Sequence, residues 1–159
     1  MLGSRGRKNP KRFKKRRKQR MKEPLTEELL DELLSSPNPE AFIAGRDINS
    51  YTLSEYLEYL LAEKGLKRSD VVREAGLNET FGYQIFRGQR GASRDKVLQL
   101  ALAMDLSLRE TDRLLQSAGL NELYCKNRRD AIIIFSIDKG YSLQKTNEEL
   151  YRFGEETIC

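Results

Sequence analysis

The chain has 159 residues and a formal net charge of +5, with 38% hydrophobic and 33% charged residues. This length suits one globular domain with appendages, and no apolar run approaches the roughly 18 residues that a membrane span needs. Histidine is absent and the two cysteines, Cys125 and Cys159, lie far apart, so we expect a cytoplasmic protein with no metal site, no cofactor and no disulfide framework. These absences do not exclude an enzyme, but the residues form no recognisable catalytic group, and we do not expect one.

The N-terminal tail carries the excess of positive charge. Residues 1–20 hold 11 Lys or Arg and no acid, which leaves 18 basic and 24 acidic residues in residues 21–159, a net charge of −6. Such a segment is predicted to be a disordered arm that neutralises phosphates. Alternatively, residues 1–20 are a translated leader and Met21 is the natural start, because residues 15–20 can be encoded by codons that resemble a bacterial ribosome-binding site.

An acidic N-terminal helix and linker are predicted over residues 21–50. The helix covers "TEELLDELL", residues 26–34, and "SSPNP", residues 35–39, ends it. Its apolar stripe consists of Leu29, Leu30, Leu33 and Leu34. Carboxylates lie opposite that stripe, so the helix either docks on the domain that follows or contacts a partner or a second copy.

A series of five short helices is predicted over residues 51–120. The helical stretches read "LSEYLEYLLAEK", "RSDVVREA", "ETFGYQIFR", "RDKVLQLALAM" and "LRETDRLLQSA". Their end signals are capping boxes at Thr52-x-x-Glu55 and Ser107-x-x-Glu110, N-caps at Asn78 and Ser93, and glycine stops at Gly65, Gly76 and Gly88. These are the residue types that satisfy free backbone groups at helix ends.

Residues 121–159 are predicted to be a C-terminal helical extension. It contains "NRRDAIIIFSIDKG" and "SLQKTNEELYRFG", two helical stretches joined at Gly140 and Tyr141. Residues 132–135 also suit a short strand, but the flanking lengths and caps favour a helix. Strict alternation of apolar and polar residues is missing elsewhere, so the predicted fold class is all-α.

The segment "LKRSDVVREAGLNETFGYQIFRGQRGAS", residues 66–93, contains a helix, a turn, a second helix and a basic loop. Gly76 supplies the positive φ that lets the chain reverse in the turn. Such an arrangement projects the second helix outward, and a projecting helix fits the DNA major groove. Between residues 64 and 96 there are eight basic and four acidic side chains, whereas the rest of residues 21–159 is acidic.

This segment resembles the helix-turn-helix of XRE-type regulators, the group that includes the phage Cro and CI repressors. The resemblance is carried by "GL" in the turn, Ile85, "RG" at the helix end, the basic loop, and Ser93 before an apolar helix. It needs no gaps over residues 66–93 and extends to about residues 53–118. It implies a lambda-repressor-like domain and a sequence-specific transcriptional regulator, in particular a repressor, that binds double-stranded DNA as a homodimer. We expect the dimer surface within residues 107–158.

The resemblance implies DNA contacts from the start of the first motif helix and from the exposed face of the second, residues 79–87. The basic loop and the next helix start add two arginines, predicted to clamp the DNA backbone. The nine residues are Arg68, Asn78, Glu79, Thr80, Tyr83, Gln84, Arg87, Arg90 and Arg94. Helical spacing independently places 79, 83 and 87 on one line and Ile85 inward. Gln84 suits adenine, and Arg87 suits guanine or a phosphate.

Gly82 stands inside the second motif helix, where glycine costs about 1 kcal/mol relative to alanine. The family usually has an apolar residue at this packing position and prefers alanine where this chain has Val72. We therefore expect Gly82 and Val72 to exchange volume across the crossing of the two helices. Phe81 and Phe86 are predicted to pack, and Tyr83 to be exposed.

A second hypothesis assigns the same fold to protein binding and not to DNA binding. The same helices can form a protein-interaction module, such as an antitoxin or a signalling adaptor. Glu79 favours this alternative because a carboxylate at the start of the exposed helix repels phosphate unless it accepts from a cytosine amine. The net charge of −6 over residues 21–159 and the acidic N-terminal helix favour it as well.

Overall fold

The computed structural model describes residues 26–44 and 51–159. The described residues divide into two compact units, residues 26–44 and residues 51–159. The predicted basic tail, the possible start at Met21 and the linker residues 45–50 lie outside the described residues. Every regular element in the described ranges is a helix, so the predicted all-α class is confirmed.

The first unit contains helices α1 (Thr26–Ser35) and α2 (Pro39–Ala44). Helix α1 confirms the predicted acidic helix, and the hydroxyl of Ser36 donates to the carbonyl oxygen of Glu32 at its end, at 2.7 Å. Helix α2 lies in the segment predicted to be linker. It begins with proline at its first position, and the side-chain oxygen of Asn38 accepts from the Ala41 amide at 2.8 Å. Both features are helix-start signals.

The second unit contains seven helices. They are α3 (Leu53–Lys64), α4 (Arg68–Glu74), α5 (Glu79–Phe86), α6 (Arg94–Ala103), α7 (Leu108–Ser117), α8 (Arg128–Lys139) and α9 (Leu143–Arg152). Both predicted capping boxes are present, at the starts of α3 and α7. Ser93 and Ser142 accept backbone hydrogen bonds at the starts of α6 and α9. Residues 132–135 are helical within α8, so the strand alternative is wrong.

One hydrophobic core joins all seven of these helices. Helix α3 packs against α5 and α7, α4 against α5 and α6, and α9 against α6 and α8. Fully buried side chains such as Leu57, Phe86, Leu114 and Leu150 come from four different helices, and burying each such side chain contributes about 1.5–3 kcal/mol. The C-terminal pair α8 and α9 therefore shares its core with α3–α7. No helix in the described ranges is both long enough and apolar enough to cross a membrane.

Candidate nucleic-acid interface

Helix α5 is joined to α4 by a turn over residues 75–78. Gly76 adopts a φ of 69° in this turn, and the amide of Leu77 donates to the Val72 carbonyl oxygen at 3.2 Å. Leu77 itself is buried in the core. This combination of a left-handed residue and a buried apolar residue ends α4 and sets the direction in which α5 starts.

The inner side of α5 packs closely against α4. Gly82, Ile85 and Phe86 are buried. A Cβ atom added at Gly82 would lie 2.5 Å from Cγ1 and 2.8 Å from Cγ2 of Val72. Val72 therefore fills the space beside Gly82, so the predicted packing of these two residues across the helix crossing is confirmed.

Both ends of α5 are held by side chains. At its start, the side-chain oxygen of Asn78 accepts from the Phe81 amide at 3.2 Å, as predicted. At its end, the hydroxyl of Ser54 on α3 donates to the carbonyl oxygen of Phe86 at 2.6 Å. Ser54 was not identified from the sequence, because its partner lies 32 residues away and a serine in the first turn of a helix carries no signal for such a bond.

Ser54→Ala is expected to lower the free energy of unfolding by about 1 kcal/mol, since it leaves a half-buried carbonyl at the end of α5 without its donor. Urea denaturation measures this change. Ser69→Ala is the matched control because Ser69 is exposed on α4, and a surface substitution of this kind stays within about 0.5 kcal/mol. Equal effects of the two substitutions would contradict the anchoring role of Ser54.

The outer side of α5 presents a row of polar side chains. Six residues predicted from the sequence lie along it, namely Asn78, Glu79, Thr80, Tyr83, Gln84 and Arg87. Tyr83, which was predicted to be exposed, is half-buried, as is Gln84, and the other four are exposed. Helix α5 ends at Phe86, one residue earlier than predicted, and Arg87 follows it as the C-cap. The side-chain oxygen of Asn78 is already used as a cap, so its amide nitrogen is the group that remains for a ligand.

Ion pairs divide the basic residues of this region into two groups. Four are paired with carboxylates: Lys64 with Glu110 at 3.4 Å, Arg68 with Glu58, Arg73 with Asp70 at 3.0 Å, and Arg94 with Asp130 at 2.8 Å. The other four make no ion pair within the described residues: Lys67, Arg87, Arg90 and Lys96. Three of these lie at the C-terminal end of α5, in the basic loop and in the first turn of α6. Positive charge without a counter-charge is therefore concentrated beside the end of α5.

Arg68 is held between α3 and α5. Besides its ion pair with Glu58, its Cζ lies 5.7 Å from the centroid of the Phe86 ring. Its side chain is 32% exposed, so part of the guanidinium still reaches solvent near the start of α4. A phosphate contact from Arg68 remains a prediction.

Arg94 is used inside the protein. It donates to both carboxylate oxygens of Asp130, at 2.8 Å each, and to the carbonyl oxygens of Asn121 and Glu122, at 3.2 and 3.0 Å. The hydrogen bond and charge of Asp130 raise the pKa of Arg94 above its ordinary value. All three guanidinium nitrogens have partners, so we revise its predicted role from a DNA backbone clamp to a link with the C-terminal extension.

The structure thus brings seven of the nine predicted residues to the outer side of α5 and the basic loop, with Arg68 at the edge and Arg94 turned away. Lys96 joins this surface, and the sequence had indicated it only as part of the local charge. Comparison with known proteins gives no match to a family model, a curated protein or a solved structure.

Proposed function

We propose that this chain is a sequence-specific DNA-binding transcriptional regulator of the XRE type, acting as a repressor. In this proposal α4 and α5 are the two helices of a lambda-repressor-like helix-turn-helix, and α5 enters the major groove. The observation that carries it is the row of polar side chains on the outer side of α5, a helix whose two ends are held by hydrogen bonds. Three cations that make no ion pair within the described residues lie next to this row. The major groove is about 12 Å wide and admits one helix.

Each outward side chain has a chemically suitable partner on DNA. The Gln84 amide can pair with both hydrogen-bonding groups of adenine, and Arg87 with those of guanine. Glu79 can accept a hydrogen bond from the amine of cytosine, which would favour cytosine at that position of the DNA site. Thr80 and Tyr83 suit a thymine methyl group or the sugar-phosphate backbone.

A two-fold dimer fits this proposal. One such domain buries limited DNA surface, and two half-sites one helical turn apart double the contacts. Helices α7–α9 would supply the dimer surface, and they expose large apolar side chains, with Phe135 53% and Tyr151 80% exposed. Readout of this kind needs no cofactor. The free, exposed Cys125 and Cys159 suit the reducing cytoplasm.

A protein-interaction module is the second candidate. Glu79 is exposed at the start of α5, and in the first unit Leu30 and Leu34 of α1 are 51% and 75% exposed next to carboxylates. A helix with an exposed apolar stripe next to carboxylates suits a protein partner better than DNA. In this case α5 would present its aromatic and polar side chains to a protein.

Selection from randomised duplex DNA, repeated at several salt concentrations, tests the first proposal. We expect a palindromic motif to be enriched by the full chain and also after removal of residues 1–20. Gln84→Ala and Arg87→Ala are each expected to cost about 1–3 kcal/mol of binding free energy and to relax the preference at one position of each half-site.

Arg73→Ala is the matched control for Arg87→Ala. It removes the same charge from the same motif, but Arg73 is paired with Asp70 at 3.0 Å and is not among the predicted contacts, so we expect little change in affinity. Weak binding without a motif that disappears with residues 1–20 would refute the regulator and favour the interaction module.

A further inference from the structure

We propose that Phe81 positions Arg90 and Lys96 as a pair of phosphate-binding side chains, which hold the DNA backbone beside α5. The inference rests on the proposed function and deepens it, since it assigns a sequence-independent anchor next to the residues that read bases. Phe81 acts through the two cations and does not itself contact the DNA.

The geometry brings three separate elements together. Phe81 lies in the first half of α5, Arg90 in the loop after it, and Lys96 in the first turn of α6. The Arg90 Cζ lies 5.1 Å, and the Lys96 Nζ 5.9 Å, from the centroid of the Phe81 ring. Both cations are within the range at which the negative face of an aromatic ring attracts a positive charge, and they are no farther apart than the sum of these two distances.

No carboxylate neutralises this pair. Neither Arg90 nor Lys96 makes an ion pair within residues 26–44 and 51–159. Asp95, the neighbour of Lys96, is bound to Arg129 at 3.0 Å. Two cations held around one ring repel each other, and the phosphate diesters of the DNA backbone supply the anions that they can bind.

The ring also limits the freedom of the loop. Gly88 and Gly91 lie on either side of Arg90, and Gly88 has a φ of 71°, so the backbone alone does not fix the direction of an exposed arginine. Phe81 is half-buried and packed against the core on one side, which makes it a rigid support. A cation that is already held near its bound position loses less conformational entropy on binding.

The test uses the full chain and a DNA duplex that carries the selected motif, with affinity measured over a series of salt concentrations. Phe81→Leu keeps the apolar packing but removes the aromatic face. We expect it to weaken binding by about three- to tenfold. The plot of log affinity against log salt should become shallower by about one to two units, because each phosphate contact contributes about 0.9. Phe81→Tyr keeps the ring and is expected to bind like the original chain.

Repeating Phe81→Leu in a chain without the two cations shows whether it acts by positioning them or by disturbing the fold. In the chain with Arg90→Gln and Lys96→Gln, adding Phe81→Leu should change neither affinity nor salt dependence. The proposal is overturned if Phe81→Leu binds with unchanged affinity and slope, or weakens binding equally in the background that carries both glutamine substitutions. It is also overturned if Phe81→Tyr loses as much affinity as Phe81→Leu, since the aromatic face would then have no role.

Failure of the proposed function gives a different result. If no motif is selected, the regulator proposal fails before any Phe81 variant is compared. The same variants can then be measured on an arbitrary duplex at low salt, because backbone contacts do not depend on base sequence. If Arg90 and Lys96 bind phosphates, Phe81→Leu should cause the same loss of affinity and of salt dependence on that duplex. The absence of this loss would overturn the role of Phe81 independently of the regulator proposal.

Discussion

Gly82→Ala is expected to destabilise this protein, although alanine favours a helix over glycine by about 1 kcal/mol. The new Cβ would lie 2.5 and 2.8 Å from the two methyl carbons of Val72. Val72 is buried and β-branched, so it has little freedom to rotate away. Helices α4 and α5 must therefore move apart, and overpacking of this kind costs about 1–3 kcal/mol. After the gain from alanine is subtracted, we expect a net loss of up to about 2 kcal/mol, and a larger one for Gly82→Val.

A double-mutant cycle with Val72→Ala tests the cause. Val72→Ala alone removes two buried methyl groups and should cost about 2 kcal/mol. In the Gly82→Ala background it also removes the clash, leaving the two Cβ atoms about 3.2 Å apart before relaxation. The cost of Val72→Ala should fall there by at least about 1 kcal/mol. Urea denaturation of the four proteins gives each of these values.

Gly91→Ala is the matched control for Gly82→Ala. A Cβ at Gly91 meets no atom within 4 Å apart from its chain neighbours, and its φ is not in the left-handed region. Alanine there should be neutral or stabilise by up to about 1 kcal/mol, through the unfolded state. If Gly82→Ala behaved like Gly91→Ala, or if the effects at positions 82 and 72 simply added, the close approach of α4 and α5 would be wrong.

Helix positions in this protein follow from contacts between close neighbours in the sequence. The Thr52 hydroxyl accepts from the amide of Glu55 at 3.2 Å and the Glu55 carboxylate accepts from the amide of Thr52 at 3.1 Å, so four consecutive residues are enough to predict where α3 starts. The start of α2 has similar signals in Asn38 and Pro39. The prolines at 37 and 39 also suit the end of α1, so the same residues are consistent with a linker.

Side-chain direction depended on residues far along the chain. Ile85 could be placed inward from helical spacing, and the structure buries it completely. The sequence could also place Arg94 beside the basic loop. It could not show that Asp130, 36 residues later, turns its guanidinium away from that loop. The bond from Ser54 to Phe86 is long-range in the same way. Such pairs depend on how the helices pack, for which local spacing gives no rule.

Asp130→Asn is expected to lower the free energy of unfolding by about 3 kcal/mol at neutral pH. The Asp130 side chain is 7% exposed and receives two hydrogen bonds from Arg94 and one, at 3.0 Å, from the amide of Tyr124. Removing its charge leaves Arg94 without its ion-pair partner, and such losses cost about 3–5 kcal/mol in buried pairs. Arg94 is still 27% exposed, which places the expected value at the lower end.

The pH dependence of stability identifies the charge as the cause. Burial alone would raise the pKa of Asp130, but hydrogen bonds from Arg94 and the Tyr124 amide, with the charges of Arg94 and Arg129, hold that pKa below its ordinary value. The contribution of Asp130 is therefore complete above the ordinary pKa of about 3.9 and is lost as the pH falls through the lower pKa of the folded state. The difference between the original chain and Asp130→Asn should be constant from about pH 5 to 8 and should narrow below about pH 4.

Asp70→Asn is the matched control for this measurement. It breaks the ion pair with Arg73, in which the two side chains are 48% and 73% exposed, and exposed pairs contribute less than about 1 kcal/mol. Urea denaturation of both variants between about pH 3 and 8 makes the comparison. A loss for Asp130→Asn that persisted unchanged at about pH 3 would show that shape or hydrogen bonding, and not the charge on Asp130, connects α6 to the C-terminal extension.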